Sequence, residues 1–416
     1  MRVMMLNASD VEGGAARGAL RLLDGVRAQG VDARLLVQVR HSDHPWVIGP
    51  RGTFEKAMGL ARPVLEVLSL KPYGGRGEGM FSPALVPDRL PERVLPFAPD
   101  LVHLHWVANG MIRVESLARF RRPLLWTLHD SWPFTGGCHV PFDCTRYRES
   151  CGRCPALGSD GERDVSRRLW GRKKRSWQDL DLTVVAPSNW LAGCARQSSL
   201  FKDVRVERIP NGLDLARYRP VDRGTARDLL GLPRDRKLIL FGGKGGTSDR
   251  NKGFHLLLES LGHLARRGWG DKADLVLFGA SRPEPAPDLG FASHWLGWLN
   301  DDVSMTLMYA AADVFVAPSM QENLSYTVME ALACGTPCVA FDQGGTSDLV
   351  EQGVTGFRAR CFDPEDLARS VAWVLQDDDL RRVLSFQARQ KVEREFSLEL
   401  VARRYAELYA ELAARP

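Results

Sequence analysis

No apolar run in this chain approaches the ~18 residues of a membrane-spanning helix. The opening stretch, Met1-Arg2-Val3-Met4-Met5-Leu6-Asn7, carries one charge and a very short apolar segment before Ser9-Asp10. The sequence therefore predicts neither a span nor a secretory leader, and a cytoplasmic protein whose eight cysteines are reduced thiols or metal ligands. Charge of one sign is also scarce: 56 basic against 51 acidic residues leave +5. Without a basic motif this excess is too small to imply nucleic acid as a partner. The Gly-x4-Gly-Lys-Ser/Thr phosphate loop is absent. Gly13-Gly14 lacks the third glycine of a dinucleotide fingerprint, and no acidic residue plainly closes the second strand, so a nicotinamide site is not expected. There is no internal repeat and no low-complexity tract.

What is present is alternation. Short apolar, β-branched runs at 2–7, 33–39, 101–105, 124–128 and 182–186 read as buried parallel strands, followed by others at 237–241, 273–278, 314–317 and 337–341. Helical patterns lie between them at 15–29, 253–267, 326–334, 364–376 and 379–395, and an amphipathic helix closes the chain at 398–414. At 416 residues the chain suits two domains. Proline, glycine and charge between 210 and 235 suggest the linker, giving domains at 1–210 and 235–395, with the 396–416 helix free to pack back on the first. Residues 42–98 are the least regular part.

Three constellations carry chemistry. Glu322 and Glu330 are separated by seven residues, around the start of a helix that follows the strand at 314–317. In an open α/β sheet, ligands sit beyond the carboxyl ends of the strands. Two carboxylates there can accept hydrogen bonds from the vicinal hydroxyls of a sugar and a ribose, and the helix start favours a diphosphate. The plainer reading makes Glu330 a cap partner or a solvated helix residue. The second constellation is Asp249-Arg250-Asn251-Lys252-Gly253, after the glycine-rich Gly242-Gly243-Lys244-Gly245-Gly246. Its cations can neutralise a diphosphate, or they can be ordinary surface charges on a polar turn. The third is Gly13-Gly14-Ala15-Ala16-Arg17, whose small residues allow close approach of backbone to a ligand.

Taken in order, these pieces resemble glycosyltransferase family 4, the retaining GT-B enzymes. The resemblance runs through Gly13-Gly14-Ala15-Ala16-Arg17, Thr127-Leu128-His129-Asp130, Ala186-Pro187-Ser188-Asn189-Trp190 and Ile209-Pro210-Asn211-Gly212-Leu213-Asp214. It continues through Asn251-Lys252-Gly253, Tyr309-Ala310-Ala311-Ala312-Asp313-Val314, Pro318-Ser319, Glu322-x7-Glu330, Gly335-Thr336-Pro337 and Gly344-Gly345. It implies an α/β fold of two Rossmann-like domains facing a central cleft, with acceptor bound by the first and a nucleotide-sugar donor (UDP- or GDP-linked) by the second. It further implies that Glu322 contacts the donor sugar, Glu330 the ribose and Lys252 the diphosphate, with His129 near the transferred sugar. Gly13 and Gly14 would approach the diphosphate, Ser325 and Tyr326 would offer backbone donors to phosphate, and Trp298 and Leu299 would border the base. The second phosphate-binding cation is either Lys244 or Arg250. No catalytic metal is expected, since the resemblance requires no Asp-x-Asp motif. A nucleotide-sugar epimerase on the same fold and a non-catalytic nucleotide-sugar-binding scaffold are the competing readings; intact Glu322, Glu330, Lys252 and His129 speak against the scaffold.

Cys138, Cys144, Cys151 and Cys154 fall within seventeen residues, closing in a Cys-x2-Cys knuckle. That composition reads as structural zinc, with disulfides and unliganded thiols as the alternatives. The segment from Trp126 to His139 ties the cluster to His129 and resembles a subgroup of family 4 found in exopolysaccharide and lipopolysaccharide gene clusters. Two further features bear on a lipid-linked glycan acceptor. Arg163, Arg167, Arg168, Arg172, Lys173, Lys174 and Arg175 form either a solvated helix face or a docking surface for an anionic membrane. Trp46, Phe54, 65–70 and Phe81 offer acceptor contacts or a membrane-facing surface. His103 and His105, together on one strand, read as core or cleft-edge residues rather than a metal pair.

Overall fold

The computed structural model describes every residue except 78, 283, 285–287 and 416. The chain divides into two compact units, Met1–Gly212 with Glu399–Pro416 and Leu213–Leu398.

The first unit holds strands β1 (Arg2–Ser9), β2 (Asp32–Val39), β3 (Val47–Ile48), β4 (Leu101–Leu104), β5 (Leu124–Thr127), β6 (Leu182–Ala186) and β7 (Arg205–Arg208). They pair in the order β3-β2-β1-β4-β5-β6-β7, all parallel. Burial on both faces explains the near-continuous apolar runs of β1, β4, β5 and β6. The two edge strands did not announce themselves: β3 has two residues and β7 reads Arg-Val-Glu-Arg. The helix Leu398–Ala413 belongs to this unit. Its stripe of Val401, Ala402, Tyr405, Leu408, Tyr409 and Leu412 packs in one cluster with Val3, Met5, Leu35 and Leu125 of the sheet.

The second unit holds β8 (Lys237–Gly242), β9 (Ala273–Phe278), β10 (Ser293–Trp295), β11 (Val314–Ala317), β12 (Cys338–Phe341) and β13 (Gly356–Ala359), in the parallel order β10-β9-β8-β11-β12-β13. The stretch read as a linker is structured here. A helix forms over Arg223–Leu230, capped by Asp222 and stopped by Gly231 in the left-handed region. Its Arg227 is 4% exposed and reaches the Ala311 carbonyl (3.0 Å) and Asp313 (2.7 Å). Where the chain enters and leaves this unit, Leu213 donates to Phe396 and Leu398 donates to Leu213, both at 2.9 Å.

Residues 42–98, expected to be irregular, contain a seventeen-residue helix, Gly52–Leu68, and a short one, Leu90–Val94. The first was obscured by Pro63, a residue that ordinarily ends a helix and here stands inside one; only Gly59 and Glu66 are buried.

Asp313 is the electrostatic anchor of the second unit. It is 2% exposed and meets Arg227 (2.7 Å), Arg223 (3.1 Å) and Arg381 (3.2 Å), while accepting the Leu238 amide at 2.7 Å. Removing the carboxylate strands buried guanidinium groups. Asp313→Ala should therefore cost about 3–5 kcal/mol in urea unfolding, against less than about 1 kcal/mol for Asp379→Ala, whose partner Arg382 is exposed. Equal midpoints for the two variants would refute this account.

Candidate active site

In the second unit, the carboxyl ends of β8 and β11 and the loop after β12 bring three motifs together. After β8 the chain passes Gly242 and Gly243 to a turn, Arg250–Lys252, capped by Asp249 on the Asn251 amide. Asn251 stitches this turn to the loop after β11: its side-chain amide donates to the Gln321 carbonyl (2.9 Å), its side-chain oxygen accepts the Gln321 amide (3.0 Å), and its carbonyl accepts the Met320 amide (2.8 Å). The result is a contact of 2.6 Å between Lys252 Nζ and Glu322 Oε1. The Glu322 charge holds the Lys252 ammonium above its ordinary range against the opposing effect of burial.

Glycine is required where these loops touch. A Cβ on Gly253, at φ +73°, would sit 1.9 Å from the Pro318 carbonyl, and one on Gly344, at φ +63°, 2.3 Å from the Glu322 carbonyl. Gly345 then donates its amide to that same carbonyl at 2.8 Å.

The helix Tyr326–Ala333 starts four residues beyond Glu322, with Ser325 as its N-cap residue and a 2.9 Å hydrogen bond between the Ser325 and Thr327 hydroxyls. Glu330 lies on this helix but is 1% exposed and accepts a hydrogen bond from the buried Tyr309 hydroxyl at 3.1 Å. Sequence reasoning missed Tyr309, whose only signal was its place in the Tyr-Ala-Ala-Ala-Asp run. Lys244 and Arg250 are both exposed, and neither forms an ion pair among the described residues. Trp298 is exposed and Leu299 half-buried; they follow Gly297, whose carbonyl accepts the Gly279 amide at 2.7 Å.

In the first unit, the carboxyl ends of β1, β4 and β5 gather a second group. Gly13 opens the helix Gly13–Ala28 at φ +88°, beside the exposed Gly14. The approach to it is fixed by Asp10, fully buried, which accepts the His41 and Ser42 amides and the Ser42 hydroxyl. Burial alone would raise the Asp10 carboxyl, yet these donors hold it below its usual range.

His129 follows β5 and contacts His105 Nδ1 through its Nε2 at 2.9 Å. The neighbouring Asp130 accepts from His139 Nδ1 (2.6 Å), the Trp106 indole and the Trp132 amide (2.8 Å). Burial would raise Asp130, but the facing His139 keeps it low and ionised. His103 is locked between Tyr409 (2.7 Å) and Thr127 (2.8 Å), so the closing helix reaches the layer beneath His129. Desolvation pushes the His103, His105 and His129 imidazoles down, His129 to about 4. His105, His139 and Asp130 as a network were not legible from spacing.

The four clustered cysteines, with Thr135, Gly136 and Tyr147, line one cavity. Among the described residues, however, no three His, Cys, Asp or Glu side chains are grouped as metal ligands, and all eight cysteines are free. Burial favours the neutral thiols, pushing Cys151 to about 12 and Cys138 higher. The basic stretch nearby is partly engaged within the unit, while Arg163, Arg168, Lys174 and Arg175 are exposed. Lys173 is fully buried, donates to the Trp132 and Thr135 carbonyls, and is driven down to about 7 by desolvation against the pull of Cys151 and Cys138. Arg172 pairs with Glu115 and Arg167 with Glu162.

Because the folded imidazole of His129 protonates only near pH 4 while an unfolded one does so near pH 6.5, the unfolded state binds more protons between those values. His103 and His105 act in the same direction. Stability of the first unit is thus full above pH 6.5 and falls as pH drops from 6.5 towards 4, by up to about 1.4 kcal/mol per pH unit for each proton taken up. Urea midpoints that stay constant from pH 7 to 4.5 would refute the buried neutral histidine layer.

Comparison with known proteins agrees with this geometry. The model of glycosyltransferase family 4 matches residues 12–217, and that of glycosyl transferases group 1 matches residues 236–377. The D-inositol 3-phosphate glycosyltransferase of Saccharomonospora viridis is 29% identical over 333 residues, covering 76% of this chain and 70% of that one. That of Nocardia farcinica is 28% identical over 309 residues, covering 71% and 63%. In structure, the chain is similar to sucrose-phosphate synthase of Thermosynechococcus elongatus (TM-score 0.69, 21% identity, 100% and 99% covered). It is also similar to Anabaena HepE in complex with UDP and glucose (TM-score 0.68, 19% identity, 99% and 100% covered). Two family models tiled over two parallel-sheet units of GT-B type, with the motif residues gathered at the strand ends, place the chain in glycosyltransferase family 4.

Proposed function

We propose that the protein transfers a hexose from a UDP- or GDP-sugar to a glycan or lipid-linked glycan, with retention of anomeric configuration, in the synthesis of a surface polysaccharide. The observation that carries this reading is the Lys252–Glu322 contact beside the start of the helix Tyr326–Ala333. The pair holds a cation for the diphosphate and a carboxylate for the sugar hydroxyls, and the carboxylate keeps the ammonium charged. Donor binding separates them: the diphosphate takes the ammonium, and the hydroxyls take the carboxylate. Lys252 then stabilises the charge that grows on the departing nucleoside diphosphate. The bond from the anomeric carbon to the diphosphate oxygen breaks, the acceptor oxygen bonds to that carbon on the same face, and the acceptor proton passes to a phosphate oxygen. No carboxylate need become a covalent nucleophile.

In this reading Glu330 receives the ribose hydroxyls, its oxygen already oriented by Tyr309. Gly13, Gly14, Ser325 and Tyr326 serve phosphate, with Lys244 or Arg250 as second cation, and Trp298 and Leu299 border the base. His129, kept neutral, offers a hydrogen bond rather than a charge to the sugar. The first unit serves the acceptor and the second the donor. Glucose and UDP in HepE support the donor class. The names of the curated relatives favour a phosphorylated cyclitol as a second acceptor class.

Glu322→Gln keeps volume but removes the charge, so it should lower transfer by about 100-fold or more while leaving the melting temperature within a few degrees. A panel of UDP-, GDP-, ADP- and dTDP-sugars should stabilise the wild type selectively, and Glu330→Ala should abolish that shift. Full turnover in Glu322→Gln would remove the assigned role. Stabilisation by no nucleotide would raise the scaffold reading.

For the cysteine cavity, the four cysteines lining one space, Cys138, Cys144, Cys151 and Cys154, support a structural zinc that these thiolates would hold. Elemental analysis should then give about one zinc per chain, lost in the Cys151→Ser/Cys154→Ser double variant. A metal-free, folded wild type would leave the cysteines as packed thiols.

A further inference from the structure

The helix Gly52–Leu68 is built inside out. At 100° per residue, Phe54, Ala57, Leu60, Ala61, Val64, Leu65, Val67 and Leu68 fall on an arc of roughly 160°. That arc faces solvent: Phe54 is 77% exposed, Leu60 65% and Val64 58%, with Leu65, Val67 and Leu68 also exposed. The opposite side is polar and anchored. Glu66, 2% exposed, accepts the Ala84 (3.3 Å) and Leu85 (3.0 Å) amides. Arg62 donates to the Gly110 and Pro87 carbonyls, both at 2.6 Å. Gly59 lies so close to Gln38 that a Cβ would come within 2.7 Å of its carbonyl. An ordinary surface helix buries its apolar stripe and turns its charges outward; this one spends its hydrogen-bonding groups on attachment and leaves a large apolar face uncovered.

The charge around that face identifies its occupant. Exposed cations stand at both ends, Arg51 and Lys56 at the start and Lys71 and Arg76 beyond the end. The acid in the first turn, Glu55, is engaged by the Arg51 amide at 2.6 Å. In a two-fold contact between copies with antiparallel helices, Arg51 and Lys56 would meet the partner's Lys71 and Arg76, which is repulsive. An apolar arc bordered by cations fits instead a surface of acyl chains bordered by anionic headgroups. No helix among the described residues is long and apolar enough to cross a membrane, which leaves an interfacial contact.

We propose that the outward face of Gly52–Leu68 docks the protein on the surface of an anionic bilayer, with Phe54, Leu60 and Val64 inserted at the headgroup boundary and the flanking cations on lipid phosphates. This goes beyond the transfer reading and does not need the donor site. If it fails, the Glu322 and nucleotide tests stand unaffected.

The test is sedimentation of the full chain with extruded vesicles of phosphatidylglycerol and phosphatidylcholine in equal parts, and with phosphatidylcholine alone. The wild type should pellet with the anionic vesicles, at least tenfold less with neutral ones, and less as salt rises. Phe54→Ser/Leu60→Ser/Val64→Ser should partition at least tenfold more weakly while melting at the wild-type temperature, since these side chains are exposed. Lys56→Glu/Lys71→Glu should weaken binding to anionic vesicles and leave the residual neutral binding unchanged. Absence of the wild type from both pellets, or equal partitioning of wild type and triple-serine variant, would overturn the proposal. So would a wild-type dimer in sedimentation velocity that the triple variant lacks, which would assign the face to a second copy.

Discussion

Parallel pairing is the constraint from which the rest of this molecule follows. Every strand contact within its two sheets is parallel, so all carboxyl ends of a sheet share one edge and each return passes over a face. Residues remote in sequence therefore meet: His105 and His129 at one sheet, Lys252, Glu322 and Gly344 at the other. The crowding that results has a cost. Loops leaving adjacent strands approach within van der Waals distance, and the positions where they touch accept only glycine. Gly253 against Pro318 and Gly344 against Glu322 are such points. The lysine preceding Gly253 and the carboxylate of Glu322 are thus set by backbone packing before any ligand arrives, which is the form of preorganisation that electrostatic catalysis requires.

Much of this frame was legible. The apolar runs at 2–7, 101–105, 124–128, 182–186, 237–241 and 273–278 became β1, β4, β5, β6, β8 and β9, because a strand buried on both faces leaves an unbroken apolar signal. Edge strands leave none. β7 is Arg-Val-Glu-Arg and β10 Ser-His-Trp, and both depend on their neighbours for definition. Arg223–Leu230 was hidden for another reason: its buried anchor is Arg227, and a charged residue counts against burial until its partner Asp313 is known. At the candidate site the motif residues were readable in order, but their surroundings were not. Nothing in spacing announces that Tyr309 meets Glu330, or that His139 links Ser82 to Asp130.

The buried charges share a logic. Asp313 has three arginines, Asp130 has a histidine and an indole, Glu66 has two amides, and Lys173 has two carbonyls over the Trp132 ring. None is left without donors or acceptors, as burial demands. Their environments then separate them in protonation. Asp130, facing His139, stays ionised despite burial; Glu66 is raised by desolvation against the amides of Leu85 and Ala84; and Lys173 is driven towards neutrality. A neutral lysine keeps its donors, so the loop carrying Trp132 and Thr135 remains tethered across the titration.

Two helices of nearly equal length show what amphipathicity does and does not decide. Leu398–Ala413 and Gly52–Leu68 each carry an apolar stripe, yet the first buries it in the sheet and the second turns it to solvent. The difference lies in what the opposite side can bind. Around Leu398–Ala413 the charged residues lie away from the stripe, Arg404 on the Arg208 carbonyl and Glu411 on Arg205, while the Tyr405 and Tyr409 hydroxyls within it meet Thr127 and His103. Those contacts are compatible with an apolar interior. Glu66 and Arg62 instead bind backbone groups of Ala84, Leu85, Gly110 and Pro87, which must be satisfied wherever the helix covers them, while Gly59 lets the helix lie close against Gln38. Once those bonds are made, the rotation of Gly52–Leu68 is fixed, and an outward-facing apolar arc is their geometric consequence. Its persistence in a folded protein requires that exposing it be useful or be temporary, and a helix held by hydrogen bonds on its polar side can meet a second apolar medium without unfolding.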